Sequence, residues 1–261
     1  MPAWITPAAR LGHVSTGTVH CLVGALALTA ALDPGARATG SQGALYELSD
    51  RPLGLVLLLG LGVGLVVDAL WQGMRAATNA DLAGAGLRGA LERMGWLLSG
   101  LTHLGLGVLA LQLARHGPPG RPESHTKAWT ATVMAAPFGR WLVALVGLAL
   151  LAVVAVLIAR AGAAALDPWL DLGRMPPHTR AVTRVLNGVG LATRAVVYSI
   201  IAGFLLLAAL QANPRVARGV TGTLRAIRTE PYGAAMLAAV GLGFLASGAL
   251  EMIRARYRRG E

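Results

Sequence analysis

Residues 141–159 read WLVALVGLALLAVVAVLIA, a stretch without a single charged side chain. An α-helix rises about 1.5 Å per residue, so a stretch of this length nearly spans a hydrocarbon core of about 30 Å. The rest of the chain is similar in character, with 55% hydrophobic and 13% charged residues. Soluble domains carry about 25% charged residues. This composition predicts a membrane protein and argues against a water-soluble one.

Five further apolar runs accompany this stretch, at residues 11–32, 52–71, 94–114, 185–210 and 233–253. None of the runs shows the two-residue alternation of a membrane barrel strand. Trp71, Trp96 and Trp141 stand at the ends of runs, where aromatic side chains anchor helices at the headgroup level. The segments between the runs are too short to form a separate domain. We therefore predict one all-α integral membrane domain, residues 1–261, with six transmembrane helices.

Three of the runs begin with a proline, a large apolar residue and a glycine. The copies are Pro52-Leu53-Gly54, Pro137-Phe138-Gly139 and Pro231-Tyr232-Gly233. Proline suits the start of a helix because the N–H that it lacks would have no intrahelical partner there. Upstream of each copy, a short segment carries two residues three positions apart that indicate a short helix lying on the membrane. These pairs are Leu45 and Leu48, Thr130 and Val133, and Leu224 and Ile227.

The other three runs share a stripe of residues four positions apart, which places them on one helix face. Each stripe has a small residue, a polar residue, a ring and a second small residue. The stripes are Gly12, Thr16, His20 and Gly24; Gly95, Ser99, His103 and Gly107; and Gly190, Arg194, Tyr198 and Ala202. The first stripe residue precedes the proline by 40, 42 and 41 residues. This spacing predicts three tandem helical-hairpin modules, at residues 10–75, 93–160 and 184–256, around a pseudo-threefold axis.

On these residues the chain resembles a bacterial membrane-protein family, domain of unknown function 1206. The resemblance extends from Arg10 to the basic tail and is closest in module three, through Gly190, Arg194 and Tyr198. Modules one and two depart from the family pattern. They carry His20 and His103 in place of the more usual aromatic ring and Thr16 and Ser99 in place of Arg. The resemblance implies a fold of three two-helix modules and a membrane location, and it implies no reaction.

The stripes also supply the candidate site. An ionisable side chain at the centre of a membrane helix costs about 2.5–3.5 kcal/mol and usually faces the bundle interior. We therefore expect an intramembrane polar network that points into the bundle, formed by Thr16, His20, Asp68, Ser99, His103, Arg194 and Tyr198.

The sequence does not decide which groups within this network contact one another. Asp68 is the obvious intramembrane acid, but it stands only three residues before Trp71, where it can reach the headgroups. Backbone carbonyls, water or an anionic lipid group are together favoured over Asp68 as partners of Arg194. His20 and His103 at equal depth suit haem or metal ligation, or they replace a packed aromatic ring, which Tyr198 at the equivalent position favours. We predict no metal and no cofactor.

The net charge of +11 arises from 23 basic and 12 acidic residues. The arginines lie between the apolar runs, which fits anionic lipid headgroups and excludes a nucleic-acid surface. The termini and the second and fourth loops carry 12 basic residues, and the first, third and fifth loops carry 10, with Arg194 left out. This bias and the tail Arg254–Arg259 predict cytoplasmic termini in a bacterial cytoplasmic membrane.

Three classes of function remain. The sequence lacks a phosphate loop, a zinc-protease motif and a nucleophile elbow, so we expect no enzyme. The favoured interpretation is a non-enzymatic membrane protein with a structural, lipid-binding or partner-binding role. The alternatives are a small channel or transporter with a polar path at the centre of the repeats, and a redox or lipid-modifying enzyme built on His20 and His103.

Overall fold

The computed structural model describes residues 5–33, 35–78, 86–117, 123–163 and 170–258. In these ranges, six long helices are apolar enough to cross a membrane, and three short helices precede the even-numbered crossings. The helices are α1 (Ile5–Leu32), α2 (Ser41–Ser49), α3 (Gly54–Thr78), α4 (Leu87–His116), α5 (Glu123–Ala135), α6 (Gly139–Gly162), α7 (Pro177–Leu210), α8 (Val220–Thr229) and α9 (Gly233–Tyr257). A 3-10 turn, Pro214–Val216, lies between α7 and α8. The protein is an all-α integral membrane protein.

The three Pro-x-Gly copies form the same turn. The middle residues Leu53, Phe138 and Tyr232 all adopt the left-handed conformation, with φ of 64°, 60° and 61°. A Cβ on the glycine that follows would lie within 2.4 Å of a backbone carbonyl oxygen at the end of the preceding short helix in every copy. Glycine is therefore required at this position, because only a residue without a side chain lets the two helices approach so closely.

The six long helices form a ring in which the closest packing joins different modules. Helix α3 packs on α4, α6 on α7, and α9 on α1, so each module's second helix meets the first helix of the next module. Within modules, α1 packs on α3 and α7 packs on α9. Helices α4 and α6 hardly touch, so the hairpin of module two is open. The predicted repeat is confirmed, and its modules are held together mainly by their neighbours.

The three intermodule contacts use residues at matching positions. Gly62, Gly147 and Gly241 lie at one register, and a Cβ on each would fall within 3.0 Å of an atom of the partner helix. Their partners include the backbone of Gly107, Ala202 and Gly24, the last residues of the three stripes. Small residues let membrane helices pack backbone to backbone, which is what stabilises such pairs in lipid.

The first glycine of each stripe also shows that the hairpin of module two is open. A Cβ on Gly12 would meet Asp68 Cβ at 2.7 Å, and a Cβ on Gly190 would meet Ser247 Oγ at 2.6 Å. Asp68 and Ser247 each lie fourteen residues after the glycine that starts their helix, so the two modules agree in register. A Cβ on Gly95 would have no described atom within 4 Å, because α6 does not cover this position.

The apolar core lies on the side of the membrane where the short helices are. Leu45 of α2 and Leu224 of α8 are both 0% exposed, and they pack with Leu65, Val197 and Leu237 of the long helices. Two of the three short helices that we expected to lie on the membrane, α2 and α8, therefore point their apolar faces into the bundle, whereas α5 contributes no residue to this core. Burial against protein explains their stability better than contact with lipid, since helices this short are marginal alone.

Trp71 corrects another expectation. Its side chain is only 6% exposed, and the Arg258 guanidinium lies 4.6 Å from its ring centroid. Helix α3 continues beyond it to Thr78. Trp71 is therefore an interior residue, whereas Trp141 is 61% exposed, as a membrane-surface anchor requires.

Candidate functional site

Polar side chains gather in the half of the bundle nearest the chain termini. The first halves of α1, α4 and α7 and the last halves of α3 and α9 lie on this side, because the odd and even crossings run in opposite directions. We call this cluster the polar centre. It consists of His13, Thr16, His20, Asp68, His103, Asn187, Arg194, Glu251, Arg254 and Arg258.

Glu251 is the best-connected residue of the polar centre. It is 5% exposed, and its two carboxylate oxygens accept hydrogen bonds from Arg254, at 2.6 Å, and from His13 Nδ1, at 2.8 Å. Arg258 donates to the other His13 nitrogen, Nε2, at 3.0 Å. Because Nε2 accepts and Nδ1 donates, His13 is neutral in this arrangement. Asn187 Oδ1 accepts a further bond from Arg254 at 3.5 Å.

Asp68 is bonded to a histidine and not to Arg194. His103 Nδ1 donates to Asp68 Oδ2 at 2.5 Å, and the Asp68 side chain is only 3% exposed. Gly12 of α1 lies against the same carboxylate, so the pair is enclosed by α1, α3 and α4. A neutral imidazole can donate one proton to a carboxylate, and this bond removes the need for an arginine at Asp68.

Arg194 lies beside these pairs without joining them. It interacts electrostatically with His20 and Glu251, yet its Nε atom is buried and has no hydrogen-bond acceptor among the described residues. Thr16 Oγ1 and His20 Nδ1 are likewise buried and unbonded within the described part of the chain. The His20 ring packs against Phe244, with 6.0 Å between ring centroids. Three buried polar atoms on α1 and α7, Thr16 Oγ1, His20 Nδ1 and Arg194 Nε, thus lack a hydrogen-bond partner among the described residues.

Ser99 and Tyr198 contribute less to the polar centre than their positions in the stripes suggest. Both are half-buried, and Tyr198 packs against the apolar core. The stripe therefore brings His20, His103 and Arg194 within electrostatic range of one another, and it leaves the rings of modules one and three in packing positions. The bonds of the polar centre run instead through the two carboxylates.

His13, Asn187, Arg254 and Arg258 were absent from the expected network. His13 and Asn187 lie on the first turns of their apolar runs, and the two arginines belong to the basic tail that indicated the cytoplasmic side. The signal available in the sequence was Glu251, since a carboxylate inside an apolar run needs charged partners within reach. Arg259 of the same tail lies outside the described residues.

The histidines do not assemble a metal site in the described ranges. No group of three or more His, Cys, Asp or Glu side chains is placed there to hold a metal ion. His20 and His103 have different surroundings, because His103 is bonded to Asp68 and His20 lies beside Phe244.

Comparison with known proteins gives a family and no activity. A family model described as Domain of Unknown Function (DUF1206) matches three times, at residues 11–79, 94–164 and 189–258. An uncharacterised protein of Bacillus subtilis (strain 168), YxxB, is 31% identical over 255 residues, which cover 98% of this chain and 92% of the relative. No solved structure matches the chain. With three matched segments and a relative of similar length, the chain belongs to the Domain of Unknown Function (DUF1206) family of membrane proteins.

Proposed function

We propose that this chain is a non-enzymatic protein of the bacterial cytoplasmic membrane that binds an anionic lipid headgroup in its polar centre through Arg194. The observation that carries the proposal is the buried Arg194 Nε, which has no hydrogen-bond acceptor among the described residues. The guanidinium stays protonated at physiological pH, and a buried N–H of a charged group without an acceptor is costly inside a membrane protein.

The neighbouring acids support this proposal because each already has a basic partner. Glu251 is bonded to Arg254 and His13, and Asp68 is bonded to His103. An anion at Arg194 would supply the missing acceptor, and Thr16 and His20 offer neutral groups for further hydrogen bonds. Phosphate oxygens suit this role, since arginine binds phosphate with two parallel hydrogen bonds.

The position of Arg194 fits a lipid of the leaflet near the termini. Arg194 lies nine residues into the apolar run 185–210, at the position that Thr16 has in module one. At 1.5 Å per residue this corresponds to about 14 Å along the helix from the side of the termini. The basic count and the tail of the chain support a cytoplasmic location for this side.

Native mass spectrometry of the purified protein tests this function. Arg194→Leu should remove a copurified anionic lipid, and Arg194→Lys should retain part of it, because lysine keeps the charge and loses the paired geometry. Arg184→Leu is the matched control: Arg184 lies on the same helix, is exposed, and carries the same charge. Equal lipid content in wild type and Arg194→Leu would disprove the proposal.

A small channel is the second candidate. Apolar residues that include Leu65 pack between the polar centre and the start of the short helices, where a cavity lined by Leu106 opens. This arrangement resembles a path closed by a hydrophobic constriction. Anion flux into proteoliposomes distinguishes the two functions. A channel should leak faster with Leu65→Ser or Leu106→Ser, and a binding protein should show no flux with either variant.

A further inference from the structure

A cavity of about 480 Å³ opens where the three short helices begin. Ser41 of α2, Thr126 of α5 and Val220 of α8 all line it, and each lies thirteen residues before the glycine that starts the next long helix. Because matching residues of all three modules face the same space, the cavity lies around the pseudo-threefold axis. It is on the opposite side of the apolar core from the polar centre.

The described lining of this cavity is strongly basic. Lys127, Arg215 and Arg218 contribute three positive charges, and no carboxylate is among the described residues that line it. Arg225 also lines the cavity and has a partner of its own. The Arg218 guanidinium is held over the ring of Phe204, 4.6 Å from its centroid. Cations gathered around one concave space repel each other unless an anion joins them.

The backbone adds to this positive potential. Helices α2 and α8 begin after Gly40 and Gly219, which provide no side-chain cap. The first residues of both helices line the cavity. Uncapped N–H groups and the positive ends of helix dipoles favour an anion, and phosphate suits such sites in particular.

One wall of the cavity leads into the membrane. Leu101, Thr102 and Gly105 of α4 line it, and they follow Leu98 on the same helix face. Leu98 matches Ser15, which in module one packs against Gly64 of α3. In module two the equivalent partner helix α6 stands away from α4, so this face is open and Leu101 is 65% exposed. The cavity therefore opens onto the exposed apolar face of α4.

We propose that this cavity binds the phosphate headgroup of an anionic lipid, with the acyl chains along the exposed apolar face of α4. Lys127, Arg215, Arg218 and the helix starts recognise the phosphate, and the apolar face of α4 contacts the chains. A free phosphate compound would use the cations alone and would leave this apolar face uncovered, so the geometry favours the lipid. This site is separate from Arg194 and lies at the other face of the bundle.

Titration of the delipidated full-length protein with phosphatidylglycerol, followed by native mass spectrometry, tests the site. The triple variant Lys127→Gln, Arg215→Gln, Arg218→Gln should weaken binding at least about tenfold, because it removes three charged groups that bind the phosphate. A second triple variant, Arg51→Gln, Arg140→Gln, Arg160→Gln, is the control, because it removes three exposed cations that do not line the cavity. An equal loss in both triple variants would show general surface attraction and overturn the proposal.

A glycine substitution tests the cavity without changing charge. Gly105 lines the cavity and has no atom within 4 Å of an added Cβ, so Gly105→Leu should fold and fill the space. Binding should then fall at least about tenfold. Gly60→Leu is the matched control, because Gly60 on α3 is also open and does not line the cavity. Unchanged binding in Gly105→Leu would overturn the site.

Competition separates the lipid from a free anion. Phosphatidylcholine should bind at least about tenfold more weakly than phosphatidylglycerol, and glycerol 3-phosphate should not displace the lipid at equal concentration. Displacement by glycerol 3-phosphate would overturn the lipid assignment. In an Arg194→Leu background the triple variant Lys127→Gln, Arg215→Gln, Arg218→Gln should still weaken phosphatidylglycerol binding at least about tenfold, so a failure of the proposed function at Arg194 is distinguishable from a failure here.

Discussion

His103 and Asp68 are joined by a hydrogen bond of 2.5 Å that links the first helix of module two to the second helix of module one. The equivalent position in module one is His20, which faces Phe244 and has an unbonded Nδ1 among the described residues. Two histidines at the same place in the repeat therefore have different roles. His103 donates a hydrogen bond to the buried Asp68 carboxylate, whereas His20 packs against the Phe244 ring.

The different surroundings of the two histidines predict different responses to phenylalanine. His103→Phe leaves the Asp68 carboxylate buried and unpaired, and breaking such a pair costs about 3–5 kcal/mol. His20→Phe keeps a ring beside Phe244 and removes no bond, so it should cost under about 1.5 kcal/mol. Thermal unfolding in detergent measures both. Similar melting temperatures for the two variants would contradict the His103–Asp68 pair.

A substitution of Asp68 tests the His103–Asp68 pair from the side of the carboxylate. Asp68→Asn should partly rescue His103→Phe, because a neutral amide is cheaper to leave unpaired than a carboxylate. The double variant should therefore melt at a higher temperature than His103→Phe alone. Additive losses would mean that the two side chains do not interact in the folded protein.

The open hairpin of module two predicts unequal effects at matching glycines. Gly12→Ala places a Cβ 2.7 Å from Asp68 Cβ and should destabilise the protein by about 1–3 kcal/mol through overpacking. Gly95→Ala meets no described atom and should be neutral or stabilising by up to about 1 kcal/mol, because alanine favours helix. Melting temperatures check the contrast. Equal losses would show that α6 covers α4 as α3 covers α1.

The repeated turn predicts a strict requirement for glycine. Gly139→Ala would bring a Cβ within van der Waals overlap of the Val133 carbonyl oxygen, so the turn must open to accept it. We expect a loss of folded, monodisperse protein in size-exclusion chromatography. Gly162→Ala, near the end of the same helix, is the control because its Cβ position is open. Normal yield of Gly139→Ala would contradict the close approach of α5 and α6.

The charge bias predicts the orientation of the chain. With Cys21 replaced by alanine, the chain has no other cysteine, so a cysteine introduced at Ser49 or at the tail residue Arg256 reports one face alone. A membrane-impermeant maleimide on intact cells should label the Ser49 position and spare the Arg256 position until the cells are lysed. The reverse pattern would place the termini outside the cytoplasm.

The sequence alone determined the fold class and the repeat. Apolar runs long enough to cross a bilayer leave a helix as the way to satisfy the backbone, and this constraint is local to each run. The Pro-x-Gly copies and the stripes are local as well, because a tight turn and a helix face each depend on residues close in the chain. The repeated turn, for example, can be recognised from residues 52–54, 137–139 and 231–233 without any knowledge of how the helices pack.

The partners inside the bundle were decided only by the tertiary structure. The sequence left the partner of Asp68 open, and the structure bonds it to His103 and not to Arg194. Which side chains meet depends on the order of helices around the ring and on the gap between α4 and α6, and both follow from the summed fit of many small residues. The sequence repeat predicts three equivalent modules. Their surroundings nevertheless differ, because Glu251 forms an ion pair with Arg254 in module three and Gly95 in module two is not covered by a neighbouring helix.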